Sequence, residues 1–235
     1  MAGAGKKTFT AGETLTASDV NTYLMEQSVM YFAGTAARAS AIPTPSTGMT
    51  SYIGVTGTAT IPQLETYTGS AWQTPYGMTL VAKADISAAS SLTINNAFTT
   101  SYDSYIIVIT AKSTGSTSDI TFKLASGGTP TSTSGYAYMT SNAQFTGSVS
   151  WILGGSSGDS FGKAGTISTL ECSSTIFLHQ PAAAKVKTWW HQGVRTDGFS
   201  TGGNGYANYT TAYDGIQFSF PTCNGQIRIY GMRNS

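Results

Sequence analysis

Gly154-Gly155-Ser156-Ser157-Gly158 spells G-x-S-x-G, the pattern that can hold a nucleophilic serine at a sharp strand-to-helix turn. That chemistry needs a strand before the serine, a helix after it, and an Asp and a His further along the chain. A strand through Trp151 and Leu153 can lead in, but Asp159-Ser160-Phe161-Gly162 reads as further loop. Chance matches are also common in a chain with 27 glycines. The segment is therefore expected to be a loop, with no catalytic role for Ser156. Glycoside cleavage would need two carboxylates facing each other across a cleft. The 11 acidic residues are scattered singly, and nothing in the sequence brings together a pair such as Asp197 and Asp214. Cys172 and Cys223 have no C-x-x-C partner, and the only histidines are His179 and His191, so no zinc set forms. The cysteines are expected to be small buried hydrophobes in strands, and the histidines structural. No cofactor and no metal are expected.

Binding chemistry is better represented. Trp189, Trp190, Phe199, Tyr206, Tyr209 and Tyr213 cluster late, the last four in a Gly-rich stretch. Flat rings beside amide and carboxylate side chains suit weak, polar ligands such as glycans. Phe199, Tyr206, Tyr209 and Tyr213 form the candidate surface-recognition loop; the alternative is that this loop packs against a neighbouring subunit. On a strand, Trp189 and Trp190 face opposite ways, so at least one belongs to a core or an interface.

The elements that must position these residues follow from composition and patterning. Charged residues are 10% of the 235, with 12 Lys+Arg against 11 Asp+Glu and a net charge of +1. With aromatics at 11%, the chain is unlike a disordered tail, and no basic cluster exists to grip nucleic acid. The apolar run from Tyr105 to Ile109 is far short of the ~20 residues of a membrane helix. No apolar stretch follows Lys6 and Lys7, so no signal peptide is expected.

Thr16-Ala17-Ser18-Asp19 has the form of a capping box and predicts a helix running to about residue 33, stopped by Gly34. Its apolar positions, Val20, Leu24 and Tyr31 on one side with Met25, Val29 and Phe32 on another, cover more than one stripe. Such a helix needs a partner for that surface. Residues 34 to about 78 read as a short collar: strands at Met49–Val55 and Gln63–Tyr67, a turn at Thr68-Gly69-Ser70, and a return through Trp72. From residue 79 onward, strand-like runs recur at Ser104–Lys112, Asp119–Leu124, Ser174–His179, Lys187–Val194, Gly215–Phe220 and Gln226–Tyr230. Ile216, Phe218, Phe220, Ile227 and Ile229 alternate with polar neighbours, the period of a strand with one buried face. The expected fold is mainly β: an N-terminal arm with a single helix (1–33), a β-hairpin collar (34–78), and an antiparallel β-sandwich, jelly-roll-like knob (79–235).

Phe9-Thr10-Ala11-Gly12-Glu13, the run from Leu15 to Met25, Ala36-Ala37-Arg38, Gly48-Met49 and Tyr67-Thr68-Gly69-Ser70-Ala71-Trp72 resemble the N-terminal part of tailed-bacteriophage virion proteins. These are the small tail-fibre and minor tail proteins, and the likeness covers about the first 75 residues. Downstream it is architectural only, through the closing run Gly225–Arg233; heptads, Gly-X-Y and fixed-period repeats of a fibre shaft are lacking. The resemblance implies a homotrimeric, non-enzymatic short fibre, spike or minor tail protein located in the virion and assembled in the host cytoplasm. Its N-terminal arm and helix would dock on other virion proteins, and its knob would bind a host-surface glycan, with no nucleic-acid partner and no membrane insertion. The alternatives are a capsid decoration or head-fibre protein and a polysaccharide-degrading tail spike.

Overall fold

The computed structural model describes residues 10–20, 28–54, 63–74, 77–132, 134–144, 147–159 and 161–233. The chain is mainly β and divides into two compact units, Met1–Tyr76 and Gly77–Ser235.

In the first unit the capping box forms as its residue types dictate. Thr16 Oγ1 accepts from the Asp19 backbone N–H at 3.1 Å, and the Asp19 carboxylate accepts from the Thr16 N–H at 3.2 Å. The helix it opens, α1, spans Ala17–Asp19 with Val20 as C-cap. Leu24 and Met25 lie outside the described residues. The expectation that the helix continues through Phe32 is overturned. Met30–Phe32 is a strand, β1, parallel to β2 (Thr50–Ile53), with Tyr31 opposite Tyr52 and Phe32 opposite Ile53. The physical reason is a better partner: the Phe32 carbonyl accepts the Gly54 N–H at 2.8 Å, and the Tyr31 and Tyr52 rings stack at 6.1 Å. Val29 and Tyr31 are exposed, so they cover no helix interface in this unit.

Gly34 does not end a helix but opens α2 (Thr35–Ala41). Strands β3 (Gln63–Tyr67) and β4 (Trp72–Gln73) complete a sheet in the order β1-β2-β3-β4. Arg38 of α2 is buried against it, ion-paired to the buried Glu65 of β3, its guanidinium 4.5 Å from the Trp72 ring centroid.

The second unit holds β5 (Met78–Ile94), β6 (Tyr102–Ser113), β7 (Ser118–Ser126), β8 (Thr129–Pro130), β9 (Tyr136–Ala143), β10 (Val149–Asp159), β11 (Gly162–Ile167), β12 (Cys172–His179), β13 (Lys187–Arg195), β14 (Ser200–Ala207) and β15 (Gly215–Arg233). They form one sheet in the order β10-β9-β14-β13-β12-β6-β15-β7-β11, with β5 also on β15 and β8 on β7. The pairings within it are antiparallel. The sheet curls into a half-barrel.

The curl has a local cause. Cys223–Arg233 of β15 pairs with β6, while its Gly215–Ser219 pairs with β7, so β6 and β7 run end to end along one bent strand. The register of β15 against β5 shifts between Ser219 and Gly225, around Pro221. Side chains hold the bend. Ser113 Oγ accepts from the Gly115 and Ser116 N–H groups, and Asn224 Oδ1 accepts at 2.8 Å from the N–H of Ala88, a residue with φ +46°.

The bend carries β11 over the inner face of the sheet. Trp189 Nε1 of β13 donates to the Lys163 carbonyl at 3.1 Å, and Ser174 Oγ of β12 donates to the Ala164 carbonyl. Between these layers sits the core, including Tyr105, Ile107, Phe122, Leu124, Ile176, Leu178, Phe218, Ile227 and Ile229. Strict burial alternation along β12 and β13 leaves their other face outward.

Candidate functional site

The G-x-S-x-G segment lies within β10, not in a loop. Its register against β9 runs from Val149 to Gly154, with Trp151 opposite Ser141, and is irregular from there to Asp159. A bend at Phe161 and then β11 follow, so the helix that a nucleophile elbow requires does not form. His179 Nδ1 lies 2.9 Å from Ser104 Oγ on the neighbouring strand.

The two carboxylates singled out by sequence serve separate turns. Asp197 takes the Arg195 guanidinium and the Phe199 N–H in the β13–β14 hairpin, and the Arg195 hydrogen bond holds its carboxyl below the usual range. Asp214 accepts the Gly127 N–H beside β8. Among the described residues, no group of three His, Cys, Asp or Glu gathers to hold a metal. Cys172 and Cys223 are free and buried in strands flanking β6, opposite Ala111 and Ser113 respectively.

The expected recognition loop does not assemble, and each member has a reason. Ser200–Ala207 is strand β14, closed between β9 and β13 with eight residues in register on each side. Tyr213 is buried. Tyr209 packs edge-on against the core Tyr136 at 5.3 Å and against Tyr213 at 6.1 Å. The segment that carries them is tied down by Lys187, whose buried ammonium donates to the carbonyls of Ala183, Lys185, Tyr209 and Thr211. Phe199 is half-buried under the Arg195 guanidinium, 4.2 Å from its ring centroid. Of the four, only Tyr206 is exposed.

A different set of residues converges on the outer face of β9, β10, β13 and β14. Neighbouring Trp189 and Trp190 divide as strand geometry requires, Trp189 into the core at 2% exposure and Trp190 outward at 42%. Trp190 stacks on Phe177 of β12 with centroids 4.0 Å apart and planes within 8°. Those two residues are register partners on adjacent strands, so the indole face turned away from Phe177 looks across β14. Beyond β14 and β9 stands Trp151, 67% exposed, with Met139 exposed between them. The space so enclosed is a cleft of about 530 Å³, with Ser141, Gln192, Ser200 and Asn204 on its walls and Gly202 in its floor. A second hollow of about 290 Å³, lined by Phe177, Thr175 and Val194, continues it on the far side of Trp190 and Gln192.

The glycines of β14 explain how this face is built. A Cβ at Gly203 would meet the Met139 carbonyl at 2.2 Å and His191 Cε1 at 2.8 Å; one at Gly205 would meet the Trp189 ring at 2.4 Å. Both are glycine because the β9 backbone and inner-face side chains of β13 fill their places. Gly202 is different: a Cβ there would have nothing closer than 3.8 Å, in ordinary van der Waals contact. Internal packing does not require glycine at that position, yet the floor of the cleft stays open there.

Below the floor, His191 is buried, and neither ring nitrogen has a hydrogen-bond partner among the described residues. Burial, with the nearby Lys163 ammonium adding to it and Asp119 opposing, brings its pKa down to about 4, so its ring is neutral at pH 7. Lys163, itself buried, is ion-paired to Asp119 at 2.9 Å.

The sequence reading missed Trp151 and Met139. The signal available was Trp151 at the head of a segment discounted for its glycines, together with the observation that one of Trp189 and Trp190 must face outward.

No family model matches the chain, and no curated protein matches it. Among solved structures, a fructofuranosidase from Schwanniomyces occidentalis complexed with fructosylnystose aligns at 10% identity and a TM-score of 0.20. The alignment covers 79% of this chain but 39% of that one, and at this score it carries no argument about fold or activity.

Proposed function

We propose that this chain is a non-enzymatic structural component of a tailed-phage virion, a short tail fibre, spike or minor tail protein, acting in host-surface attachment. In this reading the N-terminal segment docks on the particle and forms a homotrimer, and the Gly77–Ser235 unit is the knob that meets the host. The observation that carries the attachment role is the open cleft between Trp151 and Trp190 on a solvent-facing sheet. The virion role is supported by the N-terminal resemblance, from Phe9 to Trp72. Three copies on one particle would convert weak contacts into useful avidity.

Light scattering of the purified chain tests the assembly: the proposal expects three times 24.5 kDa, and a monomer would remove the avidity argument. Adsorption tests the function. Excess soluble chain should compete with particles for host cells, whereas the Trp151→Ala chain should compete poorly; equal competition by both would refute attachment through this face.

A further inference from the structure

We infer that the cleft between Trp151 and Trp190 is a saccharide site for an uncharged oligosaccharide, whose pyranose rings stack on the two indoles above Gly202. The inference rests on the attachment reading and names the ligand class for that face.

Charge comes first. Met139, Ser141, Trp151, Trp190, Gln192, Ser200, Gly202 and Asn204 include no ionised side chain. The one titratable residue in the lining, His191, turns its ring to the opposite face and is held neutral by burial. An acidic sugar or a phosphate would find no counter-charge here and would lose its hydration without recompense.

The platforms come second. Phe177 covers one face of Trp190 in a near-parallel stack, which fixes the indole upright and leaves its other face toward β14. Trp151 stands three strands away and, level with Gln192 in register, two residues along from Trp190, ~16 Å at ordinary strand spacing and rise, enough for more than one sugar ring between the two. Sugar rings present flat C–H faces to such surfaces and hydroxyls at their rims.

The rim matches that second requirement. Gln192 and Asn204 are exposed amides, able both to donate and to accept, as hydroxyls do, and Ser200 adds a hydroxyl. Ser141 Oγ is committed to the Gly202 carbonyl at 3.1 Å, which stiffens the floor. Gly202 keeps the floor open: a Cβ would fit there in ordinary van der Waals contact and would take up space a ring needs.

The test uses the full chain on a printed array of neutral tetrasaccharides of glucose, mannose, galactose and rhamnose, with sialylated and uronic-acid sets as charged comparisons. Neutral members are expected to bind, and isothermal titration with the best of them should show roughly tenfold weaker binding for Trp151→Ala, the size of a lost aromatic contact. Gly202→Val is expected to abolish binding and Gly202→Ala to weaken it, with thermal melts of both beside wild type separating loss of the site from loss of the fold. Binding of the charged sets alone, or of nothing on the array, would overturn the inference. So would full binding by Gly202→Val. A fall in solution mass for Trp151→Ala would also overturn it, by showing that a second copy of the chain covers this face. A trimer that binds no sugar would leave the virion reading standing, so the two can fail separately.

Discussion

His191 gives the most direct physical test of the interior. Its ring lies between β11 and the inner face of β13, buried, with no partner for either nitrogen among the described residues. In the unfolded chain a histidine takes up a proton near pH 6.5; in the folded protein desolvation lowers this to about 4, with the Lys163 ammonium acting in the same direction. Between these values the unfolded state binds the proton and the native state does not. Stability is therefore fully present above about pH 6.5 and lost progressively down to about 4, where both states are protonated. The difference is about 3 kcal/mol, which for a unit of this size is roughly 6–12 °C in melting temperature.

The assay is urea unfolding of the wild-type chain and of His191→Leu at pH 7.5 and at pH 4. Carboxylates such as Asp197 titrate in both proteins, so the comparison isolates His191. The wild type should lose about 3 kcal/mol more than the variant over that range. At pH 7.5 the variant should be close to wild type, since it removes two unpartnered nitrogens along with the ring. An equal acid loss in both proteins would refute the reasoning, and would mean that the ring finds a proton acceptor or solvent in the native state.

Three further perturbations probe other parts of the fold. Gly205→Ala should cost about 1–3 kcal/mol, because its Cβ falls on the Trp189 ring, while Gly202→Ala should be neutral or slightly stabilising; paired thermal melts decide. Lys187→Met should cost at least ~2 kcal/mol, since the carbonyls held by its ammonium lose their donor. Limited proteolysis should then cut first in the Asn208–Tyr213 segment. Glu65→Gln should destabilise the Met1–Tyr76 unit by about 3 kcal/mol by leaving Arg38 buried without its counter-charge, read as a lowered calorimetric transition for that unit.

Much of the β content was legible because side-chain alternation reports directly on one buried face, as at Ile216, Phe218 and Ile227, Ile229. The capping box at Thr16 and Asp19 was legible for a similar reason, since both hydrogen bonds are local. What failed was reading glycine-rich segments as loops. Thr201-Gly202-Gly203-Asn204-Gly205 reads as loop because glycine disfavours isolated strands, but β9 and β13 on either side impose the strand. Gly154–Gly158 also reads as loop from its glycines, but it lies within β10, an edge strand whose register against β9 is irregular between Gly154 and Asp159. Tyr31 has helical spacing from Val20 and Leu24, and Phe32 from Met25 and Val29, yet aromatic residues also suit strands, and a partner at Tyr52 and Ile53 decided between the two. The recognition loop was lost to a tertiary effect: whether Tyr209 and Tyr213 face outward depends on Lys187, twenty-two and twenty-six residues away in sequence.

The same glycines that hid β14 from sequence are what allow its two faces to be used independently. On an ordinary strand, a bulky residue beneath the sheet is accommodated by a medium-sized side chain in the next strand, and the outer face is filled in turn. Here Gly203 and Gly205 let His191 and Trp189 press against the β14 backbone from within, which keeps the inner layer dense without large β14 side chains. The core is then satisfied regardless of what stands at Gly202, Asn204 and Tyr206 on the other side. An outer face released from packing duty can carry exposed Trp151, Trp190 and Met139 at little cost to the fold. Substitutions on that face should therefore change what the protein binds far more than whether it folds, whereas those at Gly203 and Gly205 should do the reverse.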